Sequence, residues 1–398
     1  MALAIQAASF LHQFFWPRLH PTPSKRPDAI KIGVIAEGHL DPATIIDPST
    51  SHPCTVLHAI SASDSLIAES LSSKYHFTKA YGSHARLLQD PAVDAVYVSA
   101  PIGCRYALVR QALAEGKHVL CDAPMAANSE EVRVLVDYAK HQGVVLLDGV
   151  HWQFHPATHA WRKMVDSNEY GRILRAEATM TCTPGIHSTD NRWKYEAAGG
   201  SAISLLPALN AARFALHAST PSALVSVTAR LSPTDPRIDA ALHARLVFED
   251  PRGNAVNCRV HTDLARPWAG GLVPRLWEVP AVEVETEKAV LCFYNFAMPH
   301  LYHWIRVREK GGSGMGTVYR KQYEGGPLWG RVAVSTGEKG GRTGWSSYRW
   351  QLEAFVDAVQ GRTPAFWVAG QESVWMMECV DAVYRAAGLP VRESVGKE

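Results

Sequence analysis

The stretch VDAVYVSAPIGCRYALVRQALAEGKHVLCDAP, residues 93–124, contains a strand-like run, a helical run and a second strand-like run in direct succession. Residues 95–99 and 119–121 are apolar and rich in β-branched side chains, and residues 106–115 between them have a helical pattern. Because a strand, a crossover helix and a second strand form the unit of a parallel sheet, this stretch predicts a Rossmann-like fold.

The same alternation continues on both sides of this stretch. Further strand-like runs lie at residues 32–36, 55–59 and 144–147, and further helical runs lie at residues 65–74 and 129–141. We therefore predict an N-terminal, doubly wound parallel sheet over residues 30–155, preceded by a lead-in at residues 1–29.

The pattern changes after residue 155. A helix over residues 156–166 is followed by longer strand-like runs that leave no room for crossover helices. These runs cover residues 173–183, 223–231, 241–248, 255–261, 282–293 and 303–308. They predict an open, mostly antiparallel β-sheet in a substrate and dimerisation domain at residues 156–345. The Gly-rich residues 311–343 are predicted as loop, and the helices of residues 346–398 are predicted to pack back toward the Rossmann-like domain.

The composition excludes several classes of protein. The 40 basic and 38 acidic residues are interspersed and give a net charge of +2, so no basic stripe for nucleic acid is expected. Seven cysteines without a Cys-x-x-Cys pair favour reduced thiols and no metal site. No apolar run approaches the roughly 20 residues that span a bilayer, so we expect a cytoplasmic protein without a membrane partner.

The loop Ala36-Glu37-Gly38-His39-Leu40-Asp41 is a poor match to the Gly-x-Gly-x-x-Gly fingerprint that cradles a dinucleotide pyrophosphate. Only Gly38 occupies a fingerprint position, and the carboxylates of Glu37 and Asp41 would repel a pyrophosphate. We therefore predict that no cofactor is required, with Gly38 as the remaining contact if NAD or NADP binds. Residues 61–64 contain no Arg that could hold the 2′-phosphate of NADP.

Several motifs spread over residues 30–392 together resemble those of the Gfo/Idh/MocA oxidoreductases. They lie at residues 93–98, 114–120, 151–156, 171–173, 199–202 and 348–392. The resemblance looks closest to a fungal branch that includes NADP-dependent xylose dehydrogenases and dimeric dihydrodiol dehydrogenases. It implies that the open sheet packs against a second subunit, so we expect a homodimer.

The sequence departs from this family at positions that carry its chemistry. Cys121-Asp122-Ala123-Pro124 stands where the family has Cys-Glu-Lys-Pro, so Ala replaces the Lys that handles a proton. Ile102 lies in the turn that helps the family hold the nicotinamide ribose, and Arg105 stands in place of a His. Leu205 and Leu209 replace an Asp and a Tyr or His that contact the reacting hydroxyl.

An apolar pocket lined by Ile102, Ala123, Leu205 and Leu209 would favour a hydrophobic small-molecule substrate over a sugar. We therefore predict a repurposed pseudo-oxidoreductase that catalyses a non-redox cyclisation or isomerisation, such as a pericyclic ring closure, of a hydrophobic secondary metabolite. Two alternatives remain open: an NAD(P)-dependent oxidoreductase with a displaced catalytic residue, and a non-catalytic ligand-binding protein.

Three residues are candidates for catalysis. Asp122 could act as an acid or base, or bond a neighbouring backbone group. His151 could donate a proton because its intrinsic pKa is near neutral, with a structural role as the alternative. Arg105 could hold a carboxylate or enolate oxygen, or cap the helix that it starts. Trp152, by stacking on an unsaturated substrate, and His187, from the loop before the glycine turn, are candidates for substrate contact.

Overall fold

The structure is a computed structural model that describes residues 22–37, 40–182, 185–273, 275, 277–311, 317–330, 337 and 341–395. Its first sheet has six strands in the order β3-β2-β1-β4-β5-β6, and the paired strands are parallel. The strands are β1 (Ile30–Ala36), β2 (Thr55–Ser61), β3 (Lys79–Tyr81), β4 (Ala95–Ser99), β5 (His118–Asp122) and β6 (Leu146–Gly149). The predicted doubly wound sheet is confirmed, and the three-residue β3 is an addition to it.

Helices and their apolar residues cover both faces of this sheet. The helices between its strands are α1 (Ile46–Thr50), α2 (Ser65–Tyr75), α3 (His84–Leu88), α4 (Ile102–Ala114) and α5 (Ser129–Gln142). In α5 the Asn128 side chain accepts a hydrogen bond from the Glu131 N–H (2.9 Å), and Gly143 ends the helix at a φ of 67°. All residues of β4 are buried, as expected for a parallel strand with helices on both sides.

The second sheet has eight strands in the order β14-β13-β12-β11-β7-β10-β9-β8. The strands are β7 (Ile173–Thr181), β8 (Ala223–Leu231), β9 (Asp239–Glu249), β10 (Ala255–Asp263), β11 (Ala281–Thr286), β12 (Ala289–Tyr294), β13 (Trp304–Glu309) and β14 (Thr317–Arg320). β7 and β10 are parallel and the other pairs are antiparallel, which confirms the predicted open, mostly antiparallel sheet.

Two details of this domain differ from the prediction. The run at residues 282–293 is a hairpin of β11 and β12, closed by a hydrogen bond from the Ala289 N–H to Thr286 Oγ1 (3.1 Å). The region predicted as loop contains β14 and a short helix. β14 was missed because it is a four-residue edge strand with all of its side chains exposed, so it has no apolar alternation.

The remaining α-helices follow the first sheet along the chain. They are α6 (Pro156–Asp166), α7 (Ser201–Ser204), α8 (Pro207–Ala215), α9 (Gly326–Trp329), α10 (Ser347–Val359) and α11 (Gly370–Ala386). α10 shares a buried cluster with β1, β4 and β5, and α11 packs on α5. No helix in the described part of the chain is both long and apolar enough to cross a membrane.

A buried ion pair fixes the turn before α7. Arg392 Nη2 lies 2.9 Å from Asp239 Oδ1, both side chains are fully buried, and Arg392 Nε donates to the Gly199 carbonyl (2.7 Å). Gly200 has a φ of 134°, and a Cβ there would lie 2.2 Å from Asp239 Oδ1. The glycine pair therefore lets the backbone approach the buried ion pair.

Candidate active site

The candidate site lies at the carboxyl ends of the parallel strands, where open α/β sheets bind ligands. Asp122 ends β5, and the buried Tyr97 hydroxyl of β4 donates a very short hydrogen bond to its Oδ1. Burial, and then the Asp122 carboxylate, hold the pKa of Tyr97 well above its ordinary value. Burial and the carboxylates of Asp122 and Asp41 also raise the pKa of Tyr348, at the start of α10. Both phenols therefore stay protonated near neutral pH, and the Tyr97 hydroxyl acts as a hydrogen-bond donor.

A hydrogen-bonded chain of three side chains lies beside these phenols. His151 follows β6 and stacks on Tyr348 with ring centroids 3.9 Å apart. Its Nδ1 lies 2.7 Å from Ser347 Oγ, which in turn lies 2.7 Å from His300 Nδ1. The chain joins three distant segments of sequence: the end of β6, the start of α10 and the loop before β13. We call it the His151–Ser347–His300 relay.

The chemistry of a hydroxyl fixes the protonation pattern of this relay. Ser347 has one hydroxyl proton, so it can donate to only one of the two imidazoles. The other imidazole must donate from Nδ1, so the two histidines have opposite tautomers. Burial and the neighbouring His300 lower the pKa of His151 well below its ordinary value, and burial lowers the pKa of His300 to about 4. At neutral pH both rings are uncharged.

A second pair of histidines lies near the relay, close enough for His303 to affect the pKa of His300. His303 Nδ1 donates to the Pro299 carbonyl (2.7 Å), and its Nε2 accepts from the Gln322 N–H (2.9 Å). The ring of His155 meets that of His303 edge-on, with centroids 5.5 Å apart. Although histidines are concentrated here, no group of three His, Cys, Asp or Glu within the described residues could hold a metal ion.

Arg105, predicted to contact substrate, has its donors directed at the backbone. Its Nε donates to the Ala100 carbonyl (2.7 Å), and its Nη1 donates to the carbonyls of Asp122 (2.9 Å) and Pro124 (2.8 Å). Its Nη2 lies 3.9 Å from Asp122 Oδ2. These contacts tie the ends of β4 and β5 together, so Arg105 positions Asp122 instead of presenting a free guanidinium to a substrate.

Three of the predicted apolar contacts lie in the protein core. Trp152 is 1% exposed and meets Phe214 and Phe296 edge-on, so its faces are not open to a substrate. Leu205 is 3% and Leu209 4% exposed, and Leu209 packs within the larger core cluster. The apolar side chains of Leu205 and Leu209 therefore contribute to the packing of the core, and not only to a substrate cavity.

The other predicted contacts are spread more widely. Ile102 and Ala123 are half-buried at the carboxyl edge of the sheet and pack against the larger core cluster, so they remain candidates for lining the site. His187 is exposed, and its Nδ1 bonds to Thr189 Oγ1 (2.9 Å), away from the relay. Gly38 lies outside the described residues.

Glu37 does not point along the phosphate turn as predicted. Its Oε1 accepts hydrogen bonds from the Ser63 N–H (2.9 Å), after the end of β2, and from His84 Nε2 (2.7 Å). Asp41 stays at the turn, where its Oδ1 accepts from the Ala43 N–H (3.0 Å). One of the two carboxylates expected to repel a pyrophosphate is therefore bound elsewhere, at the place where a Rossmann fold holds the adenosine ribose.

Comparisons with known proteins agree with this architecture. Residues 30–149 match the profile of the Gfo/Idh/MocA family, described as an oxidoreductase family with an NAD-binding Rossmann fold. A D-xylose 1-dehydrogenase (NADP(+)) of Haloferax volcanii is 28% identical over 335 residues, which cover 83% of this chain and 89% of that protein. A trans-1,2-dihydrobenzene-1,2-diol dehydrogenase of Mus musculus is 33% identical over 183 residues, covering 44% and 53% of the two chains.

Solved structures show the same fold at low sequence identity. An aldose–aldose oxidoreductase from Caulobacter crescentus superposes with a TM-score of 0.70 at 19% identity, covering 90% of this chain and 98% of that one. A 3-ketoreductase from Actinomadura kijaniata, in complex with NADP and TDP-benzene, superposes with a TM-score of 0.71 at 20% identity and the same coverage.

The prediction that no cofactor is required is wrong. The matched family binds NAD, one relative is an NADP(+) dehydrogenase by name, and the 3-ketoreductase structure contains NADP. The prediction gave too much weight to glycines missing from the phosphate turn. It also assumed that Glu37 would face the pyrophosphate, whereas its hydrogen bonds lead to the end of β2.

Proposed function

We propose that the chain is an NAD(P)-dependent oxidoreductase of the Gfo/Idh/MocA type in which His151 replaces the missing lysine as the proton-handling residue. The match of residues 30–149 to the profile of that family and the similarity to a D-xylose 1-dehydrogenase support this proposal. The observation that carries this proposal is the His151–Ser347–His300 relay, with both hydrogen bonds at 2.7 Å. It lies next to Tyr348, whose phenol is held close to Asp122 at the carboxyl end of β5.

The relay can move a proton without creating a lasting charge. When His151 Nε2–H donates to a substrate oxygen, its Nδ1 takes the Ser347 hydroxyl proton. Ser347 Oγ then takes the Nδ1 proton of His300, and His300 Nε2 takes one from solvent. The reverse sequence removes a proton from an alcohol. A positioned group of this kind typically contributes 10²–10⁴-fold to rate.

A nicotinamide cofactor would lie along the carboxyl edge of the first sheet, from the end of β2 to the ends of β4 and β5. Glu37 would accept a hydrogen bond from the adenosine ribose, and Asp122 with Tyr97 would border the nicotinamide end. When bound, the cofactor would supply or accept the hydride. The chain itself orients the substrate and handles the accompanying proton.

We propose that the substrate is a hydrophobic ketone or alcohol. Ala123 leaves space where a lysine side chain would extend, and Ile102 is half-buried nearby. Two phenols and one imidazole then provide the few polar groups that orient a largely apolar ligand.

The test is nicotinamide absorbance with a panel of hydrophobic ketones and alcohols, on the wild type and on the variants His151→Gln and Ser347→Ala. We expect His151→Gln to lose about 10²-fold or more in kcat, with KM changed less. Ser347→Ala should lower kcat and shift its pH profile. His141→Gln, on the exposed surface of α5, is the matched control. Full activity in His151→Gln would refute the assignment of the proton-handling group.

A non-redox cyclisation or isomerisation of a hydrophobic metabolite is the second candidate. It is favoured by the apolar residues Ala123, Leu205 and Leu209 at three positions where the family has polar groups. The two candidates differ in the mass of the product. An isomeric product supports cyclisation, whereas a change of two hydrogens supports the oxidoreductase.

We also propose a homodimer formed through the exposed face of the second sheet. The β9–β10 half of this face is basic, with Arg245 directly opposite Arg259, and the β7–β11 half carries Glu177 opposite Glu283. A two-fold axis would bring the basic half of one subunit onto the acidic half of the other. Light scattering should show a dimer that Arg259→Glu weakens, and a wild-type monomer would exclude it.

A further inference from the structure

A carboxylate of the protein itself, that of Glu37, lies at the end of β2. The Glu37 carboxylate bridges the Ser63 N–H and His84 Nε2 through Oε1, and its Oε2 lies 3.4 Å from Ser63 Oγ. The Glu37 side chain is 27% exposed, so part of it remains open to solvent. The donors that gather here are therefore used by the protein itself.

The ring of His84 is held in one orientation. Its Nδ1 lies 2.9 Å from the hydroxyl of Ser61, the last residue of β2, which is fully buried. Since Nε2–H donates to Glu37, a neutral ring accepts the Ser61 hydroxyl proton at Nδ1. Ser61 thus orients the His84 ring toward Glu37. The Glu37 carboxylate can move away only by breaking its hydrogen bonds to His84 and to Ser63.

A carboxylate in this place treats the two nicotinamide dinucleotides differently. It can accept a hydrogen bond from the free ribose 2′-hydroxyl of NAD. The 2′-phosphate of NADP would meet the negative charge of Glu37 and would find the Ser63 and His84 donors already taken. The usual solution for NADP, a nearby arginine, is absent from residues 61–64.

We infer that Glu37, aimed by His84 and Ser61, makes this chain select NAD(H) over NADP(H). This inference rests on the proposed function. It adds that Glu37, in the loop after β1, is the residue that selects between the two dinucleotides. It separates the chain from the relative from Haloferax volcanii, which is an NADP(+) enzyme by name.

The experiment is a fluorescence titration of the full chain with NADH and with NADPH at pH 7.5, which needs no substrate. We expect the wild type to bind NADH at least about tenfold more tightly than NADPH. Glu37→Ala should strengthen NADPH binding and reduce that ratio by about tenfold or more. Glu37→Gln, which keeps the shape and removes the charge, should lie in between. Glu69→Gln, an equal change of charge on the exposed face of α2, should leave the ratio unchanged.

The outcomes separate this inference from the proposed function. NADPH binding as tight as NADH in the wild type, or an unchanged ratio in a folded Glu37→Ala, overturns the inference and leaves the oxidoreductase standing. Failure of both nucleotides to bind overturns the two together. Melting temperatures of all variants, measured without nucleotide, identify any variant that fails to fold, and Glu37→Gln then carries the test.

Discussion

Replacing His303 with glutamine should make the protein less sensitive to acid. In the native state His303 Nε2 accepts the Gln322 N–H and its Nδ1 donates to a carbonyl, so only the neutral ring satisfies both neighbours. Burial lowers the pKa of His303 to about 4, against about 6.5 in the unfolded chain. Between these two values the unfolded state binds a proton that the native state does not, so native stability falls as the pH falls.

The size of this effect follows from the two pKa values. On going from pH 8 to pH 5, proton binding by one such histidine in the unfolded state costs about 2 kcal/mol of stability. His303→Gln should be less stable than the wild type at pH 8, because one or both hydrogen bonds are lost. The gap between the two proteins should shrink by about 2 kcal/mol at pH 5.

The assay is urea unfolding followed by tryptophan fluorescence, at pH 8 and pH 5, for the wild type, His303→Gln and the control His141→Gln. His141 is exposed in α5, so its substitution should leave the pH dependence unchanged. An equal gap between His303→Gln and the wild type at the two pH values would refute the argument that His303 is held neutral.

Three further substitutions test other parts of the framework. Glu353→Gln removes the negative charge that lies 2.7 Å from the buried Arg349 guanidinium and should cost about 3–5 kcal/mol by urea unfolding. Gly200→Ala should lower the melting temperature far more than Gly253→Ala, because a Cβ at Gly253 meets no atom within 4 Å, although φ is positive at both. Burial raises the pKa of Asp148 to about 7. The native state therefore holds a proton that the unfolded state has lost, and the wild type loses stability as the pH rises through that value. From pH 5 to pH 8.5, the free energy of unfolding of Asp148→Asn should rise by about 2–3 kcal/mol relative to that of the wild type. An equal stability difference at those two pH values would show that Asp148 is ionised in the native state throughout.

The strands that are buried on both faces could be predicted from the sequence alone. β4 is a continuous apolar run because helices cover it on both sides, and such a run is visible without a structure. β3 and β14 were not predicted because they are edge strands of three and four residues with half-buried or exposed side chains. The hairpin of β11 and β12 was read as one strand because its two-residue turn, Glu287-Lys288, contains none of the usual turn residues.

Only one member of the relay could be identified from the sequence. His151 follows a predicted strand at the carboxyl edge of the sheet, which marks it as a candidate. Ser347 is 196 residues from His151 and 47 from His300, and no periodic pattern links the three. Arg105 and Trp152 were assigned to the substrate because their chemistry suits ligands, whereas burial and backbone contacts commit them to the framework.

The apolar substitutions and the relay are physically consistent with each other. Leu205 and Leu209 are buried apolar residues, and a buried apolar environment disfavours any unpaired charge. A lysine at position 123 would carry such a charge, whereas two neutral imidazoles linked by a hydroxyl pass a proton and remain neutral. Burial lowers the pKa of His151 and of His300, so both rings of the relay are uncharged before proton transfer begins. Under the proposed function, a site with Ala123 in place of a lysine would therefore keep proton transfer because the transfer runs through neutral groups.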